Sequence, residues 1–398
     1  MKSDFQRAID ARFALWTSFF IMGIVSMAWV PRIPEIKDAI GLSNGQFGFV
    51  FIGGTVGAVC GAQLAGRFIH TFGSKPVVSV SIILMPTGLI LMGLADSALA
   101  LITGLFVMGL GYALTDMSVN SQAVVVEKIL NQKWMSSFHG MWSAGAFVTT
   151  VFGGAVAAHF SPRTNLVSIG IASIFLFIPS MLRLLPPSLD EHAGEEDEVT
   201  EAKIPFFGKS VLPLWAIGLG LIAGMVSEGA ASDWGAILLR DNMGIGRGVN
   251  ASAFACFALA MITSRFLGDK AYQRFGPHKT VKLGGYIGGA VWGSCIAIAV
   301  PLSSHNQVVA LVIADIGFIF AGLGIGPMFP AFILAASRVK GIASAVAISR
   351  VGVIGIAGFF VGPTLTGLIA QATSLSWAMV YPVGMMVLAG FMSRSICE

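Results

Sequence analysis

Long apolar segments separated by short polar stretches recur along the whole chain. A helix needs about 20 mostly apolar residues to cross the hydrocarbon core of a bilayer. Twelve segments have this character, and they predict an all-α integral membrane protein with twelve transmembrane helices. The predicted spans are Ala11–Val30, Gly45–Ala65, Val77–Ala95, Leu99–Val126, Met135–Ala158, Leu166–Leu185, Leu212–Trp234, Ala251–Leu267, Val281–Val300, Val308–Ala336, Ile342–Ala370 and Leu375–Met392.

Composition agrees with a surface that faces lipid. Apolar residues make up 55% of the chain and charged residues 11%, against about 25% charged in a typical soluble domain. The apolar composition makes membrane lipid the expected partner. Nucleic acid is not expected, because the net charge is only +4 and no basic run is present. The four cysteines lack metal-ligand spacing, and no nucleophile–base pair is evident. We therefore expect neither an enzyme nor a metal or organic cofactor.

The distribution of Lys and Arg orients the predicted spans. With a cytoplasmic N-terminus, the cytoplasmic segments hold 18 of the 24 Lys and Arg residues and the outside segments hold five. Arg350 alone falls well inside a span. Positive residues are retained on the cytoplasmic side of bacterial inner membranes, which predicts a multi-pass inner-membrane protein with both termini in the cytoplasm.

An acidic segment divides the chain near its middle. Residues 186–210 begin with proline and predict a flexible cytoplasmic linker between a six-helix half at 1–185 and another at 211–398. The acidic residues of this segment are Asp190, Glu191, Glu195, Glu196, Asp197, Glu198 and Glu201.

The two halves are weakly related in sequence. Aligning Phe72 and Gly73 with Phe275 and Gly276 gives an offset of 203 residues, close to half of the chain. The loop after the second span reads Gly-Ala-Gln-Leu-Ala-Gly-Arg from Gly61, and the loop after the eighth reads Leu-Gly-Asp-Lys from Leu267. Such an internal repeat is typical of transporters built from two similar halves.

These loops resemble the signature loop of the major facilitator superfamily. The resemblance covers essentially the whole chain. It implies two pseudo-symmetric six-helix bundles, a monomer and transport of a small-molecule substrate by alternating access. It also implies gating by the loop residues, with one departure, because Gly66 replaces the usual Asp of the first half. The gating residues implied are Gly66, Arg67, Asp269, Lys270 and Arg274, and Glu127 is expected to form a gate ion pair.

A narrower resemblance is to the fucose-permease-like sugar/proton symporters, and within them to the YbjJ-type branch. It is carried by Asp116 with Asn120, by the His-Gly-x-x-Ser-x-Gly run from His139, and by the stretch from Glu228 to Trp234. The resemblance implies symport of a sugar with a proton, with the proton gradient as the driving force.

Polar residues inside spans are the candidates for a substrate or proton site, because an ionisable group in mid-membrane costs about 2.5–3.5 kcal/mol. Asp116, Asn120 and Glu127 share one face of the fourth span, since eleven residues return a helix to within about 20°. Asp116 either binds substrate or carries a proton, or else it is tied to a neighbouring helix. Glu127, at the end of the span, is less suited to binding.

The fifth span begins with a second polar group. His139, Trp142 and Ser143 lie on one helix face, and a histidine near a carboxylate suits proton coupling near neutral pH. The alternative is that His139 tethers the fourth and fifth helices near their connecting loop.

The second half contributes Glu228, Asp233 and Arg350. Glu228 lies among small residues in the outer half of the seventh span and either carries a proton or holds the outer gate. Asp233 either joins the site or pairs with Arg240 or Arg32. Arg350 either pairs with Asp315 or binds an anionic group of the substrate. The hypothesis is a proton-coupled symporter; the alternatives are a proton-antiport exporter of drugs or metabolites, an uncoupled facilitator, and a receptor or scaffold without flux.

Overall fold

The computed structural model describes residues 3–132, 134–157, 159–189, 208, 211–336, 338–339, 342 and 344–396. These residues are helical apart from short turns and connections, and none of them is in a strand. Residues 190–207 and 209–210 of the predicted linker lie outside the described residues.

The first of two compact units comprises Met1–Gly41 and Val50–Glu198. The eight residues between these two ranges, Leu42–Phe49, group with the second unit. The helices from the first half of the chain are α1 Asp4–Met27, α2 Ile33–Ile40, α3 Asn44–Phe72, α4 Ser74–Leu94, α5 Ala98–Leu130, α6 Met135–Ala157 and α7 Pro162–Arg183.

The second unit comprises Leu42–Phe49 and Val199–Glu398. A π-helical turn, Leu238–Asn242, extends its first helix, and another, Gly284–Gly288, joins its third and fourth. Its helices are α8 Leu212–Ile237, α9 Ser252–Phe275, α10 Pro277–Leu283, α11 Gly289–Leu302, α12 Gln307–Ile325, α13 Met328–Ala336, α14 Ser344–Ala372, α15 Leu375–Ala378 and α16 Val380–Met392.

The prediction of an all-α membrane protein is confirmed. Counting only the described residues, eleven helical segments are long and apolar enough to cross a membrane. The remaining predicted span, 342–370, coincides with the 29-residue helix α14. Large apolar side chains such as Leu99, Val308 and Trp377 are more than 70% exposed. That exposure suits lipid as the solvent.

Several helices begin at a side-chain cap. The first-turn N–H groups of a helix lack partners within the helix, so a Ser or Asn oxygen at the N-cap stabilises its start. Ser97 caps α5, Ser161 caps α7, Asn306 caps α12 and Ser374 caps α15. In the predicted topology all four precede helices that return from the outside, two in each half of the chain.

The offset of 203 residues also relates the backbone of the two halves. Gly73 has φ 80° and ψ 162°, and Gly276 has φ 78° and ψ 154°. Both N–H groups bond back four residues, to the carbonyls of Ile69 and Tyr272. A positive φ with extended ψ is a conformation that glycine adopts readily. The same turn therefore joins α3 to α4 and α9 to α10.

Candidate functional site

A chain of side-chain hydrogen bonds links α5 to α6 in the first unit. The amide of Asn120 donates to the carboxylate of Asp116 at 3.1 Å and to the carbonyl of Asp116 at 2.8 Å. His139 Nε2 lies 3.2 Å from Asn120 Oδ1. Because that oxygen can only accept, His139 Nε2 carries a proton and donates it. The structure thus brings together three of the residues that the sequence singles out.

Packing on α1 fixes the position of His139. The imidazole meets the ring of Phe19 edge-on at 5.1 Å, while the His139 side chain remains exposed. Backbone contact between α1 and α6 is close at Gly145, where an added Cβ would lie 3.0 Å from the carbonyl carbon of Phe20. The α1–α6 contact therefore holds the imidazole in reach of α5.

Of the other two residues in the predicted group on α6, Ser143 has a local role in the structure. The hydroxyl of Ser143 donates to the carbonyl of His139 at 3.2 Å, within its own helix. Ser143 is buried and Trp142 is half-buried. A role of either residue in substrate binding stays a prediction.

Glu127 is engaged at the other end of α5. Its carboxylate accepts a hydrogen bond from the backbone N–H of Trp134, the residue that precedes α6. An acidic group at this place stabilises the start of the helix. The described contact therefore links α5 to the connection before α6, and the gate ion pair stays a prediction.

Glu228 of α8 faces a cation in the second unit. Arg265 Nη2 of α9 lies 3.7 Å from Glu228 Oε1, and both side chains are mostly enclosed, at 35% and 18% exposure. Because the π-helical turn extends α8 to Asn242, Glu228 lies near the middle of the helical segment. The depth of Glu228 in the membrane, expected in the outer half, stays a prediction. Arg265, one of the 18 residues that the Lys and Arg distribution places on the cytoplasmic side, belongs to the candidate span 249–268.

Asp233 also lies on α8, and its described contact is not with an arginine. Its described hydrogen bond comes from the hydroxyl of Ser232 at 3.4 Å. Arg240 pairs with Asp241 at 2.6 Å, and Arg32 pairs with Glu35 at 2.6 Å. An ion pair of Asp233 with either arginine is not among the described contacts, and the pairing stays a prediction.

Arg350 is half-buried on α14 and has interactions of its own. Its proposed partner Asp315 instead accepts a hydrogen bond from the hydroxyl of Ser252 at 2.9 Å, which joins α12 to α9. An ion pair between Arg350 and Asp315 is not among the described contacts. Binding of a substrate anion by Arg350 stays a prediction.

The predicted gating loops have exposed charges. Arg67, Lys270 and Arg274 are exposed, and the guanidinium of Arg274 lies 5.2 Å from the ring of Phe275. The side chain of Asp269 lies outside the described residues. Gly66 is exposed, and a Cβ added to it would meet no atom within 4 Å. Crowding at this position therefore does not account for the absent Asp.

Two side chains next to these loops have a structural role that sequence reasoning missed. Lys75 Nζ donates to the carbonyls of Leu182 and Leu184 at 3.1 and 3.0 Å, at the end of α7. His278 Nδ1 donates to the carbonyl of Ser393 at 2.8 Å, just after α16. Lys75 and His278 are equivalent under the offset of 203, so each half caps its last helix in the same way.

Gln122 of α5 also binds the chain just after α7 in the first unit. It is 1% exposed, and its amide donates to Ser74 Oγ at 2.7 Å and to the carbonyl of Leu185 at 3.1 Å. Its oxygen accepts from the N–H of Leu185 at 2.9 Å. A polar residue among the apolar neighbours of a span is the signal that could have revealed it.

A cavity of about 500 Å³ lies in the second unit, between α11 and the pair α15–α16. Its lining is almost entirely apolar and includes Ile296, Val300, Trp377 and Val383. None of the predicted site residues lines it.

Comparison with known proteins agrees with the helical architecture. The family model of the Major Facilitator Superfamily matches residues 15–347. An uncharacterised MFS-type transporter of Yersinia pestis is 29% identical over 380 residues, covering 94% of this chain and 92% of that protein. The membrane protein MosC of Rhizobium meliloti is 26% identical over 376 residues, covering 93% and 86%.

Solved structures share the fold. A point mutant of the nucleoside transporter NupG superposes with a TM-score of 0.77 at 11% identity, covering 98% of this chain and all of that one. A bacterial homologue of the lysosomal transporter Spinster, in an inward-facing and occupied state, gives 0.71 at 16% identity, covering 100% and 97%. The sequence relatives are named as membrane proteins or transporters of the MFS type, not as enzymes. The family model covers most of the chain, and the protein belongs to the major facilitator superfamily.

Proposed function

We propose that this transporter is a proton-coupled symporter of a small polar solute, with a sugar as the first candidate, and that it works by alternating access. The observation that carries the proposal is the hydrogen-bonded chain from His139 through Asn120 to Asp116. It connects an exposed imidazole to a carboxylate inside a membrane-spanning helix. Ionisable groups at such depth are usually functional, because their insertion is costly.

Asp116 is the proposed proton carrier of the first unit. Its carboxylate accepts from a neutral amide, so proton uptake changes its charge without breaking an ion pair. His139 and Asn120 supply donors and an acceptor of the kind that bind the hydroxyl groups of a polar solute. Trp142 and Ser143 are proposed to line the same site.

Glu228 is the proposed proton carrier of the second unit. A proton on Glu228 would release Arg265, which makes the α8–α9 contact depend on protonation. Asp233 and Arg350 are proposed to take part in substrate or proton binding. One charge moving through 100 mV supplies about 2.3 kcal/mol, which is enough to drive useful accumulation.

The branch and the location of the protein belong to the same proposal. The motifs at Asp116, His139 and Glu228 support the fucose-permease-like, YbjJ-type branch. The Lys and Arg distribution supports a bacterial inner membrane with both termini in the cytoplasm. Reporter fusions at the two ends would test the orientation, since a periplasmic signal from either end contradicts it.

The test begins with a ligand. Thermal-shift screening of purified protein against sugars, sugar acids, nucleosides and peptides identifies a compound that stabilises it. Uptake of that compound into proteoliposomes is then measured with and without a pH gradient. We expect accumulation under the gradient and its loss with an uncoupler. Uptake that ignores the gradient indicates a facilitator, and a gradient that expels the compound indicates an antiport exporter.

A further inference from the structure

A cation near the start of α1 is surrounded by aromatic rings. The guanidinium carbon of Arg12 lies 4.7 Å from the ring centre of Trp134, 5.2 Å from that of Trp16 and 5.0 Å from that of Phe13. Within the described part of the chain, Arg12 forms neither an ion pair nor a hydrogen bond. The cation–π contacts hold the guanidinium in place and leave its N–H donors unused.

The rings around Arg12 are held rigidly. Trp16 Nε1 donates to Ser137 Oγ at 2.9 Å, and Ser137 Oγ donates to the carbonyl of Trp134 at 2.8 Å. The rings of Trp16 and Trp134 meet edge-to-face at 5.4 Å. A ligand of the guanidinium would therefore meet a pre-formed site and would not have to order it.

The guanidinium of Arg12 is partly accessible. Its Nε is buried and has no acceptor, while the residue as a whole is half-buried. The two Nη groups present parallel donors, a geometry that matches two oxygens of a phosphate. Acidic residues of α1 and α5 are already engaged: Asp4 pairs with Arg7 at 3.7 Å, Asp10 has an interaction of its own, and Glu127 accepts from Trp134.

The surroundings favour a lipid as the source of the phosphate. Phe13 and Phe5 are 50% and 56% exposed on the same helix, and such rings suit contact with acyl chains and the membrane interface. We propose that Arg12, with Trp16 and Trp134, binds the phosphate of an anionic phospholipid. With the orientation proposed above, this lipid belongs to the cytoplasmic leaflet, whose anionic lipids attract basic residues near the surface.

The test compares lipid binding by delipidated wild-type protein and Arg12→Gln. Native mass spectrometry and thermal unfolding in detergent are recorded with phosphatidylglycerol, phosphatidylcholine or inorganic phosphate. We expect phosphatidylglycerol to bind the wild type about tenfold more tightly than Arg12→Gln, as for loss of a charge-assisted contact. Arg7→Gln, which removes an already paired arginine from the same helix, should behave like the wild type.

The other possible results of this experiment each lead to a different conclusion. Stabilisation by inorganic phosphate that depends on Arg12 supports the phosphate site and overturns the lipid as its source. Equal binding of phosphatidylglycerol by wild type and Arg12→Gln overturns the site. If Arg12→Gln does not fold, Arg12→Lys replaces it. Lysine keeps the charge but loses the paired donors, so it should bind several-fold more weakly, and binding equal to the wild type overturns the paired-donor geometry.

Discussion

The two units each place a carboxylate inside a membrane-spanning helix, but they give it different partners. Asp116 accepts from the amide of Asn120 on its own helix, and His139 of α6 supports that amide. Glu228 instead faces the guanidinium of Arg265 on a neighbouring helix at 3.7 Å. A proton on Asp116 neutralises a charge among polar groups, whereas a proton on Glu228 leaves a cation without its counter-charge.

The difference assigns different tasks to the two units. We propose that Asp116 couples the proton to solute binding, because its partners are themselves donors and acceptors for a polar solute. Glu228 couples the proton to helix packing, because its partner belongs to α9. Three substitutions, Glu228→Gln, Asp116→Asn and Asn120→Ala, separate these tasks, and a last set tests the caps that the two halves share.

Glu228→Gln is expected to have the largest effect. It leaves Arg265 in the membrane without its counter-ion, and loss of one partner of a partly enclosed pair costs about 1–3 kcal/mol. Accumulation driven by the pH gradient should disappear in proteoliposomes. Adding Arg265→Gln should restore the thermal stability but not the accumulation. Asp241→Asn, which disrupts the pair of Asp241 with Arg240, is the control and should change stability by less than about 0.5 kcal/mol.

Asp116→Asn should abolish coupling while leaving the protein folded. An amide fills the space of the carboxylate but does not titrate, so uptake with and without a pH gradient should become equal. Exchange of labelled for unlabelled ligand across the membrane should persist, because it needs no net proton movement. Gradient-driven accumulation at the wild-type level would show that Asp116 is not the carrier.

Asn120→Ala should have an intermediate effect. It removes two hydrogen bonds to Asp116 and the acceptor of His139, at a cost of about 1–2 kcal/mol of stability and about tenfold in ligand affinity. Ser121→Ala is the matched control, since the buried Ser121 hydroxyl has no partner. Equal ligand affinities of the two variants would remove Asn120 from the site.

The repeated caps of the two halves should affect stability alone, so their expected effect on transport is the smallest. Lys75→Met loses two hydrogen bonds to α7 and should cost about 1–2 kcal/mol, and His278→Ala loses one to Ser393 and should cost about 1 kcal/mol. Arg67→Ala changes an exposed loop residue and should leave thermal unfolding unchanged. A larger loss for Arg67→Ala than for Lys75→Met would favour the gating latch implied by the family resemblance over the cap.

The sequence predicts the helices well because the membrane imposes a strong length requirement on apolar segments. It predicts the Asp116–Asn120 contact for a similar reason, since residues four apart share a helix face. Glu228 and Arg265 lie on different helices and 37 positions apart in the chain. Helical periodicity relates residues a few positions apart, so it carries no information on this contact. Arg265 lies two residues before the end of the span predicted at Ala251–Leu267. Because it is charged and close to that end, the Lys and Arg distribution counts it on the cytoplasmic side.

Contacts to backbone carbonyls are also invisible in the sequence, because every residue has a carbonyl. The offset of 203 makes Lys75 and His278 equivalent, but it does not reveal that both donate to the end of a helix. The end of the seventh span is predicted too early for another reason. The predicted span ends at Trp234, whereas the helix continues to Ile237 and into a π-helical turn that ends with the polar residues Arg240, Asp241 and Asn242.

Ligand-induced proton movement is the most direct test of coupling through Asp116 and Glu228. Proteoliposomes that contain a pH-sensitive dye but no imposed gradient receive the ligand found by thermal-shift screening on the outside. We predict that the wild type acidifies the interior as ligand and protons enter together, and that the variant with Asp116→Asn and Glu228→Gln does not. Acidification by that double variant at the wild-type rate would contradict the account.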